Sequence, residues 1–202
     1  MILSQLLISR EEMIKEKIWD DYSIHRIVYS LFDDQRDALE KQNGCKGSGF
    51  VYVDKNNGKE GHKVIILSNR LPKKLNYEEL SLKEIALDFL KHEDYFFEIL
   101  INPSYRDHKT KKIVPIYKED EAKKWFEDKA QANWGFTVVH SEIKSKVLKR
   151  FKKADHQVTI HGSYISGKLS VTDEEKFINS FKNGLGRGKA FGFGLLQLVP
   201  IK

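Results

Sequence analysis

Short strand-like runs and amphipathic stretches alternate along this chain in one order, and the order comes twice. Ile2–Ile8 is mostly apolar, carries no turn residue and reads as a buried strand. Residues 9–20 are charged and read as a connection or a short helical turn. Asp20 and Asp21 can cap a helix start. Ile24, Ile27, Val28, Leu31 and Phe32 then recur at helical spacing, predicting a helix to about Lys41 that ends at Asn43-Gly44. Phe50–Asp54 and Lys63–Ser68 read as strands joined through Asn56-Asn57-Gly58. Asn76–Leu90 is open: its Glu and Lys content fits helix, and a short strand near Glu84–Leu87 also fits. Tyr95–Ile101 is a strand by its aromatic and β-branched content. The order is β-α-β-β-(α)-β, the outline of a ferredoxin-like split βαβ unit.

Asn102–Lys112 interrupts with Pro103 and a polar, basic run. Lys118–Trp134 then reads as a helix with Ala122, Trp125, Phe126 and Ala130 on one face, ended by Gly135. Phe136–His140 and Gln157–Tyr164 read as strands, with Lys168–Val171 extending or following the second. A helix capped by Thr172 or Asp173 runs to about Lys182, and Leu195–Val199 is a last strand before Pro200. The element order of the first half returns, without a residue-level repeat. Trp19, Trp125 and Trp134, at or near helix ends, read as core anchors.

Composition narrows the partner. The 202 residues carry a formal net charge of +6, which favours an anionic partner, nucleic acid first and a membrane surface second. A lysine-rich solvated surface is the plainer reading of the same charge. Cys45 is the single cysteine, so an intrachain disulfide and a thiolate metal cluster are both excluded. The first ten residues lack a basic leader and a small-residue cleavage site, and no run approaches the roughly 20 apolar residues that span a bilayer. The expectation is a soluble, cytoplasmic protein.

Three stretches could carry chemistry. Residues 184–194, Gly-Leu-Gly-Arg-Gly-Lys-Ala-Phe-Gly-Phe-Gly, hold five glycines with Arg187 and Lys189. Backbone N–H groups at Gly184, Gly186 and Gly188 can approach a phosphate beside the two cations; a tight glycine connection into the last strand fits equally. The stretch fails the Walker pattern, because Asn183 stands at the first glycine position, Ala190 replaces Ser/Thr, and it follows a helix and precedes a strand. Tyr22 and His25 stand three apart and share a helix face. At about 100° per residue, His25 falls roughly 90° from the middle of the apolar stripe, at the edge of the buried face. There it can move protons near neutral pH, or simply pack as a boundary histidine. Ile143–Lys153 carries Lys144, Lys146, Lys149, Arg150, Lys152 and Lys153 with no acidic residue. Ile143, Val147, Leu148 and Phe151 share a helical face, so it reads as a short basic amphipathic helix or a basic insert between strands. Its expected role is phosphate contact along a nucleic acid. His156 and His161 lie on opposite faces of a strand, which argues against a shared metal ion, and no His-Glu-x-x-His or Cys pair occurs.

Placed together, these pieces resemble the CasE-type CRISPR repeat RNA endoribonucleases of Cascade systems. The resemblance is carried by Met1-Ile-Leu-Ser4, Asp21-Tyr22-Ser-Ile-His25 with Leu31-Phe32, Phe97-Glu-Ile-Leu-Ile-Asn-Pro103, Val114-Pro115, Gly162-Ser-Tyr164 and the glycine stretch through Leu196. The family usually has a basic residue where this chain has Glu98 or Leu100, and many members have cysteine where Phe193 stands. The resemblance implies an α+β protein of two tandem ferredoxin-like (RRM-like) βαββαβ domains, residues 1–92 and 93–202. It resolves the open segment 82–90 toward a strand followed by a short turn. It also implies cleavage of precursor CRISPR RNA at the base of the repeat hairpin with no metal or other cofactor. Its expected partners are the repeat hairpin, the mature crRNA and other Cascade subunits, and not a membrane. His25 and Tyr22 become the expected catalytic residues, and the basic run with the glycine stretch the expected RNA contacts. The rival reading is a non-catalytic tandem RRM-like RNA-binding module, although no aromatic RNP1 run is present. A membrane-surface protein is a weaker third.

Overall fold

A computed structural model describes residues 1–35, 39, 47–55, 61–73, 80–153 and 155–201. Strand β1 (Ile2–Ile8) leads into a short helix α1 (Arg10–Lys15). A reciprocal box starts α1: Ser9 Oγ accepts the Glu12 N–H at 3.2 Å, and the Glu12 carboxylate accepts the Ser9 N–H at 2.7 Å. Helix α2 (Asp21–Ser30) follows, then β2 (Phe50–Asp54), β3 (His62–Ser68) and β4 (Leu80–Glu84), with a 3₁₀ turn at Leu87–Leu90. Strand β5 (Asp94–Ile101) opens the second half, and a small hairpin, β6 (Ser104–Arg106) with β7 (Ile113–Pro115), comes next. Helix α3 (Glu119–Lys129) widens into a π-turn, Ala130–Trp134, before Gly135. The long strands β8 (Phe136–Lys153) and β9 (His156–Val171), helix α4 (Glu174–Asn183) and β10 (Gln197–Pro200) complete the chain.

Two four-stranded antiparallel sheets result, in the orders β2-β3-β1-β4 and β10-β5-β9-β8. In each, the first and third strands are central, the fourth lies outside the first and the second outside the third. That is the ferredoxin-like order, so the α+β tandem expected from the repeated element order is what the chain forms. The strand at 80–84 followed by a turn at 87–90 agrees with the resemblance. Helix α2 ends at Ser30, short of the expected Lys41; residues 36–38 and 40–46 lie outside the described residues, as do the expected turn at 56–58 and positions 76–79.

The sheets pack face to face at one side. Phe50 and Tyr52 of β2 join Leu6, Ile8, Val64 and Ile66 under Ile24 and Val28 of α2. Val51 and Val53, on the other face of β2, join Leu67, Leu90 and the core of the second sheet. This explains why all five residues of β2 are buried, without the alternation of a one-sided strand. At the end of β2 the seam turns polar. The Tyr164 hydroxyl on β9 donates to the Asp54 carbonyl at 3.3 Å, and Lys55 pairs with Glu98 on β5. Burial, with Asp54 and Glu98 adding to it, pushes the Tyr164 phenol up to about 12.

Two expectations are corrected. The stretch 143–153 is neither a helix nor an insert, but the distal part of β8. It pairs with β9 from Phe136↔Val171 to Lys153↔His156, with irregularities at Val138/His140 and Ile143/Ser145. Apolar spacing over so short a window fits helix and strand alike, and the partner strand decides. Counter-charges absent from the run itself stand beside it: Lys144 pairs with Glu142, the residue just ahead of the run, while the fold brings Glu119 to Lys146 at 3.0 Å and Asp21 to Lys149 at 2.7 Å. Trp19 is 71% exposed and anchors nothing, whereas Trp134 is buried and Trp125 meets it edge-on at 6.0 Å.

Candidate active site

The N-terminus of α2 is fixed first. The Asp20 carboxylate accepts the Ser23 N–H at 2.8 Å and the Ser23 hydroxyl at 2.7 Å. This cap sets the phase of the helix, so Ile24 and Val28 face the core while Tyr22 and His25 look along its flank. The flank meets the glycine stretch. Gly188 (φ +78°) and Gly192 (φ +81°) bracket a single 3₁₀ turn, Lys189–Phe191, in left-handed conformations that a side chain would strain. The turn delivers the carbonyl of Ala190 to His25 Nδ1 at 2.6 Å, and the Tyr52 hydroxyl donates to the same oxygen at 2.9 Å. A carbonyl only accepts, so Nδ1 carries a proton. In the neutral ring the basic lone pair then lies on Nε2.

Aromatic rings enclose the imidazole. Tyr22 stacks on it at 5.4 Å, Tyr29 lies at 4.2 Å and Phe191 at 5.2 Å. Phe151 from β8 closes the group, 4.5 Å from Phe191 and stacked on Tyr22 at 5.9 Å. The nest therefore joins α2, β8 and the glycine turn, which are far apart in sequence.

The basic run divides by strand alternation. Lys144, Lys146, Arg150 and Lys152 are exposed on β8. Lys149 points the other way. Its side chain is 8% exposed, it pairs with Asp21 of α2, and its ammonium lies 5.4 Å from the Phe193 ring centre. A Cβ at Gly192 would stand 3.4 Å from that ammonium. Lys149, expected on an outer phosphate-tracking surface, is thus brought to the inner side of the site beside His25's turn. Lys153 lies on β8, and its side chain is outside the described portion. In the glycine stretch Leu185 is buried between Gly184 and Gly186, Arg187 is exposed and Lys189 is half-buried. Burial pushes the Lys189 ammonium below the usual lysine value.

Sequence reasoning missed Tyr52, the Ala190 carbonyl, Phe151, Phe191 and the inward turn of Lys149. Only the last had a local signal, the two-residue alternation Val147, Lys149, Phe151. It also passed over the β6–β7 hairpin as a basic interruption. There Asp107 ties the turn, accepting N–H groups of Lys109 at 3.1 Å and Thr110 at 2.6 Å. Arg106, Lys109, Lys111 and Lys112 stand exposed on it, beside Tyr105.

A family model described as CRISPR-associated protein matches residues 1–200. The chain belongs to that family. Within it, the chain is 26% identical over 215 residues to the CRISPR system Cascade subunit CasE of Escherichia coli K12, covering the whole of both proteins. Its backbone is similar to that of the CRISPR endoribonuclease Cse3 bound to a 19-nucleotide RNA, with a TM-score of 0.80, 21% identity and coverage of 99% of this chain and 100% of the other. It is also similar to E. coli Cas6e, with a TM-score of 0.73, 22% identity and full coverage of both chains. These relatives match the chain over its full length, in agreement with a resemblance that the sequence carries from Met1 to Leu196. Phe193 is fully buried and forms the floor under Lys149.

Proposed function

We propose that this chain is a metal-independent endoribonuclease that cleaves precursor CRISPR RNA at the base of the repeat hairpin and remains on the mature crRNA with other Cascade subunits. Two domains, 1–92 and 93–202, supply the site between them, in the cytoplasm. The observation that carries the reading is His25, held by the Ala190 carbonyl with its basic nitrogen at Nε2, with the Lys149 ammonium close to Gly192 of the same glycine turn.

RNA brings its own nucleophile, the 2′-hydroxyl next to the scissile phosphate. His25 Nε2 takes that proton as the oxygen attacks phosphorus, and the P–O5′ bond breaks as a proton from the resulting imidazolium or from Tyr22 passes to the departing oxygen. Tyr22, stacked on the imidazole, orients the reacting group or shares that second transfer. Lys149 offsets the charge that builds on the phosphoryl oxygens, from a poorly solvated position where one charge acts strongly. The products carry a 2′,3′-cyclic phosphate and a 5′-hydroxyl. Outside the centre, Lys144, Lys146, Arg150, Lys152 and Lys153 track the stem phosphates. Gly184, Gly186, Arg187, Gly188 and Lys189 cradle the backbone at the cut. The hairpin cations Arg106, Lys109 and Lys111 add a second arm. Recognition is mostly by shape, because the A-form major groove hides base edges.

The test is a labelled repeat hairpin carrying a 2′-deoxy substitution at the cut site. Cleavage is expected to stop there and to continue on the unmodified RNA in EDTA. Cleavage of the deoxy substrate, or its loss in EDTA, refutes the mechanism. His25→Ala is expected to bind the hairpin and not cut it; equal loss of both makes His25 structural and favours a non-catalytic RNA-binding module.

A further inference from the structure

We infer that Tyr52 is a positioning residue for His25, its hydroxyl fixing the Ala190 carbonyl that keeps the imidazole proton on Nδ1 and the basic lone pair on Nε2. The inference rests on the proposed proton-transfer role of His25 and adds what sets that residue's tautomer.

Tyr52 lies in the middle of β2 and is 1% exposed, in an apolar cluster with Leu6, Ile8, Ile24 and Val64. Phenylalanine would fill that volume with no polar atom to satisfy. A buried phenol is costly unless it finds a partner. Its partner is a carbonyl 138 residues away, and the other group on that oxygen is His25. A carbonyl oxygen offers two lone pairs, so both donors fit at once. The Tyr52 ring also supports the turn that bears the carbonyl, because a Cβ on Gly192 would come within 3.2 Å of its Cε2.

One residue therefore carries the turn on its ring and aims its carbonyl with its hydroxyl. Burial, with Tyr29, Asp54 and Asp21 adding to it, pushes the Tyr52 phenol well above its ordinary value, so it remains a donor wherever the enzyme is assayed. The titratable groups around the imidazole are Tyr22 and Tyr29 on α2, the Lys149–Asp21 pair, Lys189 in the turn and Tyr52 itself. The Ala190 carbonyl at Nδ1 dictates which nitrogen holds the proton, because a carbonyl can only accept. The hydrogen bond made by one imidazole nitrogen sets the chemistry of the other.

Tyr52→Phe in the full-length protein removes the hydroxyl and keeps the ring. Three quantities decide: the single-turnover cleavage rate on the labelled repeat hairpin, the affinity for that hairpin, and the ¹⁵N shifts of His25, which report its tautomer. The rate is expected to fall about tenfold, the size of one well-placed hydrogen bond. Affinity should be unchanged, and the ¹⁵N signals should move from the Nδ1–H form toward a mixture. A wild-type tautomer in the variant overturns the inference, as does an equal fall in rate and affinity, which marks a packing role. If His25→Ala still cuts RNA, the catalytic reading fails, while the ¹⁵N measurement still decides the Tyr52 contact by itself.

Discussion

Replacing Lys149 with methionine separates charge at the reaction centre from charge along the RNA. The substitution keeps the length of the stem and removes the ammonium. Two costs follow, and the structure sizes both. The first is stability, because Asp21 loses its partner. A fully buried pair broken this way costs about 3–5 kcal/mol. Asp21 is 27% exposed, so water replaces much of the lost contact and the cost drops to about 1–2 kcal/mol. A protein of this kind holds about 5–15 kcal/mol and stays folded. The second cost is catalytic. Loss of one preorganised group aimed at developing charge lowers rates about 10²–10³-fold, or about 2.7–4 kcal/mol. The assay is single-turnover cleavage of the repeat hairpin at saturating protein, with hairpin affinity measured at several salt concentrations. The expected result is a rate loss of about 10²–10³-fold, an affinity within about threefold of wild type, and the same salt slope. A variant that cuts at the wild-type rate but binds weakly with a shallower slope would place Lys149 on the phosphate-tracking surface and refute the argument.

The outer face of β8 should behave in the opposite way. Lys144, Arg150 and Lys152 changed together to glutamine are expected to weaken hairpin binding and lower its log–log salt slope by about 2–3, with bound RNA still cut; an unchanged slope removes this strand from the interface. Gly192→Ala puts a side chain at φ +81° and 3.2 Å from Tyr52. It should cost about 1–2 kcal/mol, seen as a drop in Tm of about 2–8 °C, and slow cleavage as well; a wild-type melting curve would mean that the turn tolerates a Cβ. Acid sensitivity has named sources. The Lys168 ammonium and then Ser170 hold the Asp94 carboxyl below the usual range, and the Lys176 N–H and side chain do the same for Asp173. Folded values below unfolded ones give stability that is present above about pH 4 and is lost as pH falls through the lowered folded value. Asp94→Asn with Asp173→Asn should therefore flatten the fall of Tm below about pH 4, and a double variant that melts along the wild-type acid curve would count against this assignment.

How much was legible in the sequence depended on how local each cause was. The order of strands and helices was readable, because period-2 and period-3.6 apolar spacing is written within a few turns of chain. The caps were readable to within a residue, as Asp20 or Asp21 and Thr172 or Asp173, for the same reason: Asp20 and Asp173 each close a hydrogen bond three residues on. The shared flank of Tyr22 and His25 followed from helix geometry. The stretch 143–153 was misread because its apolar residues fit two periods, and β9, which chooses between them, adds no mark to that segment. Trp19 was misread because sitting near a helix end does not say which way a side chain points.

The site shows the same division more sharply. The sequence by itself determined that a histidine and a tyrosine share the first turns of a capped helix, and that five glycines stand between the last helix and the last strand. Which carbonyl meets that histidine was decided only in three dimensions, across 165 residues of separation. So was the inward turn of Lys149, whose ammonium finds its carboxylate on α2 and not on its own strand. Hydrogen bonds and ion pairs between distant elements form because packing has already brought the two sheets together, and no local pattern of residues encodes that meeting.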